Sequence, residues 1–396
     1  SKLFDGIGLL VARSDWTPDA TFVTFKAGDN FWSHSHLDQG SFTIYKGGGL
    51  AIDSGANYGT TYGSDHHLNY SYQTIAHNTI TVTDPADTTP MPAKPEETPR
   101  VIANDGGQRR VGSGWHVEAA PLDLAEWEEK KEIYHTGRIA RHLDQDDVTV
   151  TVADITPAFT NSMSGKGTFS HRTRRVERAW RVFAYDRADD VIVVYDDIQA
   201  TNAAFRKRWL LHSLEQPRID GTRFTVEVPA LDRPTRTRNR ERGSQNLPGR
   251  QGGRLVGHVL LPQGVSLNAI GGPGFEFFVD GKNFDENGQV PARVARLRWG
   301  QVEPGAWRIE VGPGRDSIEE RFLVVMLPSG IDQIPRHSVR RIENGEKVGC
   351  EVVGPTRTTR WWFQPGHHGV TIEIVQSGEV RRHVLEAAPG AAGAGS

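Results

Sequence analysis

Two stretches near the start of the chain carry side chains able to bind an ion or move a proton. "DNFWSHSHLDQGSFTIYKGGGLAIDSG" (Asp29–Gly55) sets His34 and His36 one residue apart, followed by Asp38 and Asp53. "QTIAHNTITV" adds His77 at the mouth of a strand-like run. Residues i and i+2 of an extended segment project to one face, so the two histidines of H-x-H can act together. Two imidazoles and one carboxylate from this group can form a Zn²⁺ ligand set, with water or another group completing the tetrahedron. Asp38, Asn78 and Tyr58 are candidates for the hydrogen bonds that fix an imidazole tautomer. A histidine of ordinary pKa also titrates near neutrality and can serve as a general base. The plainer reading of an aspartate before Ser-Gly is a turn former. His66 and His67, in "SDHHLNYSYQ", are expected in a polar loop rather than at a metal.

These side chains need a rigid frame, and the frame that the sequence predicts is all-β. "TFVTFKAG", "SFTIYKGG", "NTITVTD", "VTVTVADI", "AWRVFAYD", "VIVVYDDI", "RFTVEVP", "WRIEVGPG" and "RFLVVMLP" are β-branched or aromatic runs of strand length. Gly, Asp, Asn or Pro punctuates most of them. The 43 glycines and 22 prolines fit many turns. "YDRADDVIVVYDDI" predicts a hairpin turning near Arg187–Asp190. Only "LDLAEWEEKKEIYHTG" (Leu122–Gly137) has a helical composition, and its ragged apolar spacing fits a charged edge strand as well.

No strand–helix alternation is present, which argues against a doubly wound fold. The expected architecture is a large antiparallel two-sheet β-sandwich over residues 1–330. A small β domain over 331–390 follows, with a disordered tail at 391–396. Pro234–Gly253 is basic and is expected to be a long exposed loop. In "RWWF" (Arg360–Phe363) at least one tryptophan is expected in the core.

Composition excludes several function classes. The 396 residues have a formal net charge of only −3, so no global field favours nucleic acid. No run approaches a transmembrane span. One cysteine, Cys350, rules out an intrachain disulfide framework. The opening "SKLFDGIGLLVARSDW" lacks the basic start and apolar stretch of a signal peptide. It reads as a strand entering a domain, and the chain is expected to begin within a larger precursor.

The order "GDNFWSHSHLDQGSFTIYKGGGLAIDSGANYG…HHLNYSYQTIAHNTITV" resembles the heparinase II/III-like polysaccharide lyases at the start of their C-terminal β-sandwich. H-x-H-x-D, a strand and Gly turn, "D-x-G" and "A-H-N-T" occur in that family's order over about Phe22–Val82. The resemblance implies a structural Zn²⁺, or another divalent cation, held by His36, Asp53 and His77. It implies that His34 faces the acidic sugar as carboxylate neutraliser or base. Such lyases cleave uronic-acid glycans by β-elimination, so the implied partner is an acidic polysaccharide and the implied setting is periplasmic or secreted. Tyr58, Tyr70, Tyr72 and Arg174 are candidate substrate contacts. The family's N-terminal α/α toroid, which carries the catalytic tyrosine, has no counterpart in these residues and is expected as a missing or separate unit. Two rival readings remain: a cupin-type metal enzyme using both His34 and His36, and a non-catalytic glycan-binding or structural domain.

Overall fold

The structure is a computed structural model. It describes residues 1–29, 35–55, 66–85, 88–91, 100–103, 106–108, 122–160, 174–231, 235–239, 243–247, 250–284 and 306–386. The predicted all-β antiparallel architecture is present. A first sheet runs Lys2–Phe4, Leu9–Arg13, Phe22–Lys26, Ser41–Tyr45 and Gly49–Ala51 in chain order. Burial alternates along its central strands, as a sheet with one face on the core requires.

An eight-stranded sheet lies beneath it. From edge to edge it runs Arg218–Asp220, Arg223–Val228, Gly253–Leu261, Glu319–Gly330, Val191–Ala200, Val176–Asp186, Val148–Asp154 and Arg138–Gln145. Its central strands are apolar along their length because both faces are covered. Phe183, Tyr185, Ile192 and Val194 point into a core shared with Phe25, Phe42, Leu50 and Trp209. Their neighbours Val182, Ala184, Val193 and Tyr195 point the other way. There they meet Cys350, Trp361, Phe363 and Ile372 of a separate five-stranded sheet, built from Ser338–Asn344, Lys347–Val353, Thr358–Phe363, Val370–Gln376 and Glu379–Leu385. Trp361 is fully buried, as expected for one member of "RWWF".

A four-stranded sheet, Ser266–Gly271, Trp307–Gly312, Arg206–Ser213 and Ile80–Thr83, completes the first core. The strands Val176–Asp186 and Val191–Ala200 form the predicted hairpin around residues 187–190. Leu122–Gly137, whose composition suited a helix or a charged edge strand, forms two short helices, α1 (Leu124–Glu129) and α2 (Lys131–Tyr134). Asp123 accepts the Glu126 N–H and caps α1. Within the basic Pro234–Gly253 segment, Thr235–Asn239 and Gly243–Leu247 pair as an antiparallel hairpin rather than a loop. The 391–396 tail lies outside the described residues. Among the described residues no helix is long and apolar enough to cross a membrane.

Candidate metal centre

The segment that carries His36 is fixed at its exit. Gln39 accepts from the Gly28 N–H at 3.0 Å and donates to the Gly28 carbonyl at 2.6 Å, tying the two ends of the H-x-H segment together. Thr79 donates to the Gln39 carbonyl at 2.7 Å. The next residue, Gly40, takes a φ of +78° that favours glycine. Its carbonyl accepts from Arg181 at 2.7 Å, and Arg181 also reaches the Asn78 carbonyl at 3.1 Å. Arg181 is itself clamped by both carboxylate oxygens of Asp196, and both side chains are fully buried.

Asp53 follows the strand Gly49–Ala51, where the chain leaves the first sheet. The Ile52 N–H donates to the His212 carbonyl, and the Ser54 N–H to the Ala76 carbonyl, each at 3.1 Å. Asn78 donates to the carbonyls of Phe42 (2.8 Å) and Ile52 (2.9 Å) and accepts from the His212 N–H (2.7 Å). One amide side chain thus ties three strands together beside His77. The sequence suggested that Asn78 contacts an imidazole; the structure shows it fixing backbone around the site and also placing Oδ1 3.1 Å from Nδ1 of the buried His212 ring.

These anchors bring His36, Asp53 and His77 together. His77 Nδ1 lies 3.0 Å from Asp53 Oδ1, and the His36 and His77 ring centres are 5.3 Å apart. Two imidazoles on one tetrahedral Zn²⁺ would have ring centres about 5 Å apart, with donor atoms of adjacent ligands about 3.3 Å apart. The donor types suit such an ion, and these two pair distances fall near those values. His77 Nε2 is buried with no hydrogen-bond partner among the described residues. Among those residues no three His, Cys, Asp or Glu side chains stand as a converged metal-binding group. To share one ion, these side chains would have to close further on one another.

The electrostatics favour ligand forms of the first two groups. Burial, then the neighbouring His77, pushes the His36 pKa down to about 4, leaving a neutral imidazole at neutral pH. The Asp53 side chain is half exposed, so the desolvation that would raise its pKa is small beside the charge and hydrogen bond of His77 and the Gly55 N–H, which hold the carboxyl well below its usual range. His77 shifts upward: burial opposes its charge, and Asp53 overrides burial.

Other candidates have different fates. His34 and Tyr58 lie outside the described residues. Asp38 pairs with Lys26 at 2.5 Å. Tyr70 and Tyr72 are buried at 0% and 2% exposure, so their rings are packing elements and not a sugar-binding surface. Tyr72 lies beside His36, with ring centres 5.5 Å apart. His66 and His67 are buried as well, which corrects their expected place in a polar loop. The turn His67–Ser71 is covered by Phe277, whose edge meets both His66 and Tyr70. Arg174 is exposed and pairs with Glu177 at 3.0 Å. Sequence reasoning missed Arg181, Gln39 and Ser54, whose partners are all remote in the chain.

A profile described as Heparinase II/III-like, C-terminal matches residues 1–298. The chain belongs to that family. A heparin-sulfate lyase of Bacteroides thetaiotaomicron is 35% identical over 91 residues, which is 20% of this chain and 13% of the relative. Among solved structures, a heparinase III gene product superposes with a TM-score of 0.53 at 14% identity. The heparan sulfate lyase HepC from Pedobacter heparinus gives 0.52 at 14%. Each match covers 98% of this heparinase-like chain and 42% of the solved protein, so the chain spans less than half the length of those lyases.

Proposed function

We propose that this chain is the β-sheet portion of a polysaccharide lyase that cleaves uronic-acid glycans by β-elimination, and that it forms a cation-braced wall of the substrate cleft. The observation that carries the reading is the meeting of His36, Asp53 and His77 from three segments in a heparinase II/III-like fold. A bound Zn²⁺ would supply a structural cross-link between those segments. Its consequence for catalysis would be positional: a cation on His36 would help hold the H-x-H segment in place, and the family resemblance assigns the segment's first histidine, His34, to the glycan.

The reaction needs a base to take the proton from the carbon bearing the carboxylate. That electron pair forms the C=C bond, the C–O bond to the leaving sugar breaks, and the departing oxygen gains a proton. Negative charge builds on the carboxylate as the proton leaves, so the site must neutralise it. We assign His34 to that neutralisation or to the base. The remaining groups, including a catalytic tyrosine, are assigned to an α/α toroid unit, which the greater length of the solved relatives leaves room for. Action on such polymers suits a periplasmic or secreted enzyme.

The test is the new ultraviolet absorbance of unsaturated uronates from heparan-type and alginate-type glycans. It is to be measured with the chain alone and with a toroid unit added. Product only with the toroid supports the proposal; glycan binding without product in either case favours a non-catalytic glycan-binding domain.

A further inference from the structure

Behind Asp53 runs a chain of buried polar groups that none of the site residues explains. Ser54 Oγ lies 2.9 Å from the Tyr70 hydroxyl, and both residues are fully buried. The Tyr70 ring packs on Phe277 and His66, with ring centres 5.0 and 5.8 Å away, and the charge of Arg308 works against the rise that burial imposes on the phenol's pKa. Arg308 in turn donates to Glu310 through Nε (2.9 Å) and Nη2 (2.7 Å), and through Nη2 to the Phe278 carbonyl (2.8 Å). Arg308 and Glu310 are each 3% exposed.

Either hydroxyl can donate in the Ser54–Tyr70 bond. A buried chain of this kind is rigid only when every member is satisfied. Here it ends on the residue between Asp53 and Gly55. The Gly55 N–H donates to Asp53 Oδ1 at 2.7 Å, and the Ser54 N–H is fixed on Ala76, next to His77.

We infer that Tyr70 is a positioning residue: through Ser54 it holds the Asp53 carboxylate at the distance from His77 that cation binding needs. This rests on the cation site proposed above. Tyr70 touches neither the ion nor the glycan. Its phenol ties Ser54, which follows the first sheet, to the buried turn His67–Ser71.

The experiment measures the affinity of the full chain for Zn²⁺ alone, by competition with a chromophoric chelator, in wild type, Tyr70→Phe, Ser54→Ala and the double variant. Loss of an outer hydrogen bond to a metal ligand typically weakens binding about 10–100-fold, and each single variant is expected to fall in that range. Because both act through one hydrogen bond, the double variant should bind no worse than the weaker single one. Tyr185→Phe serves as control. It removes a different phenol, bonded to Asp190 at 2.6 Å, and should lower the melting temperature without changing Zn²⁺ affinity. If Tyr70→Phe does not fold, Ser54→Ala carries the same expectation. Wild-type affinity in both single variants overturns the role of Tyr70 and leaves the cation site standing. Failure of the wild type to bind Zn²⁺ overturns both.

Discussion

Gly55 lies flat against the imidazole of His77. A Cβ built on it would sit 2.3 Å from His77 Cε1, 2.7 Å from the Ser71 carbonyl oxygen and 3.0 Å from Asp53 Oδ1. No side chain fits there, because one neighbour is backbone and another is the ring that the site depends on. Gly55→Ala is therefore expected to destabilise the protein by about 1–3 kcal/mol, the usual cost of overpacking. It should also lower Zn²⁺ affinity, read by urea unfolding and chelator competition. A variant as stable and as metal-competent as wild type would show that the Asp53–His77 packing is wrong.

Arg181 and Asp196 form a bidentate pair in a dry interior, and Arg181 also supports the carbonyls of Gly40 and Asn78. Arg181→Met leaves a buried carboxylate and two carbonyls without their donor. The expected loss is about 3–5 kcal/mol. Adding Asp196→Leu should recover part of it by removing the stranded charge. Urea midpoints at unchanged m-value measure both.

The C-terminal five-stranded sheet is latched to the hairpin turns of the eight-stranded one. Asp189 accepts from the N–H groups of Thr356 and Arg357, each at 3.1 Å, and Arg357 pairs with buried Asp186. Asp189→Ala should cost about 1–3 kcal/mol. It should raise hydrogen exchange in residues 338–385 more than in the first sheet. Uniform exchange changes would contradict a local latch.

His258 gives a pH dependence separate from the site. Burial, then Arg223 and His337, pushes its pKa down to about 4. A depressed histidine resists protonation when folded, so its contribution is present above the unfolded value of about 6.5. It is lost as pH falls through that value toward 4. His258→Gln should flatten the stability curve in that window by about 1–2 kcal/mol, the full shift being discounted because the ring is only partly buried. An unchanged slope would remove His258 from the acid response.

Much of the fold was legible because strand periodicity and turn residues are local. The alternation in "FVTFK" and "SFTIY" marks a sheet with one buried face, and the unbroken "VIVVY" and "FLVVM" mark strands buried on both. The proximity of His36, Asp53 and His77 was legible because few residue types can ligate a cation and these three stand in one block of the sequence. Tyr70, His66 and His67 were misplaced because polar side chains in a short turn look solvated until Phe277, far along the chain, covers them. A signal for the support behind Asp53 was present in "WRIEV". Ile309 and Val311 face the first core there, while Arg308 and Glu310 put opposite charges on the other face. The bond from Tyr70 to Ser54 could not be inferred from spacing alone.

The most direct test of the cation-braced wall is the Zn²⁺ content of purified wild type, His34→Ala, His36→Ala and His77→Ala proteins. About one ion per chain is expected in wild type and in His34→Ala, with near-complete loss in His36→Ala and His77→Ala. Loss with His34→Ala as well as His36→Ala would point to a cupin-like site, and absence of the ion from wild type would contradict the account outright.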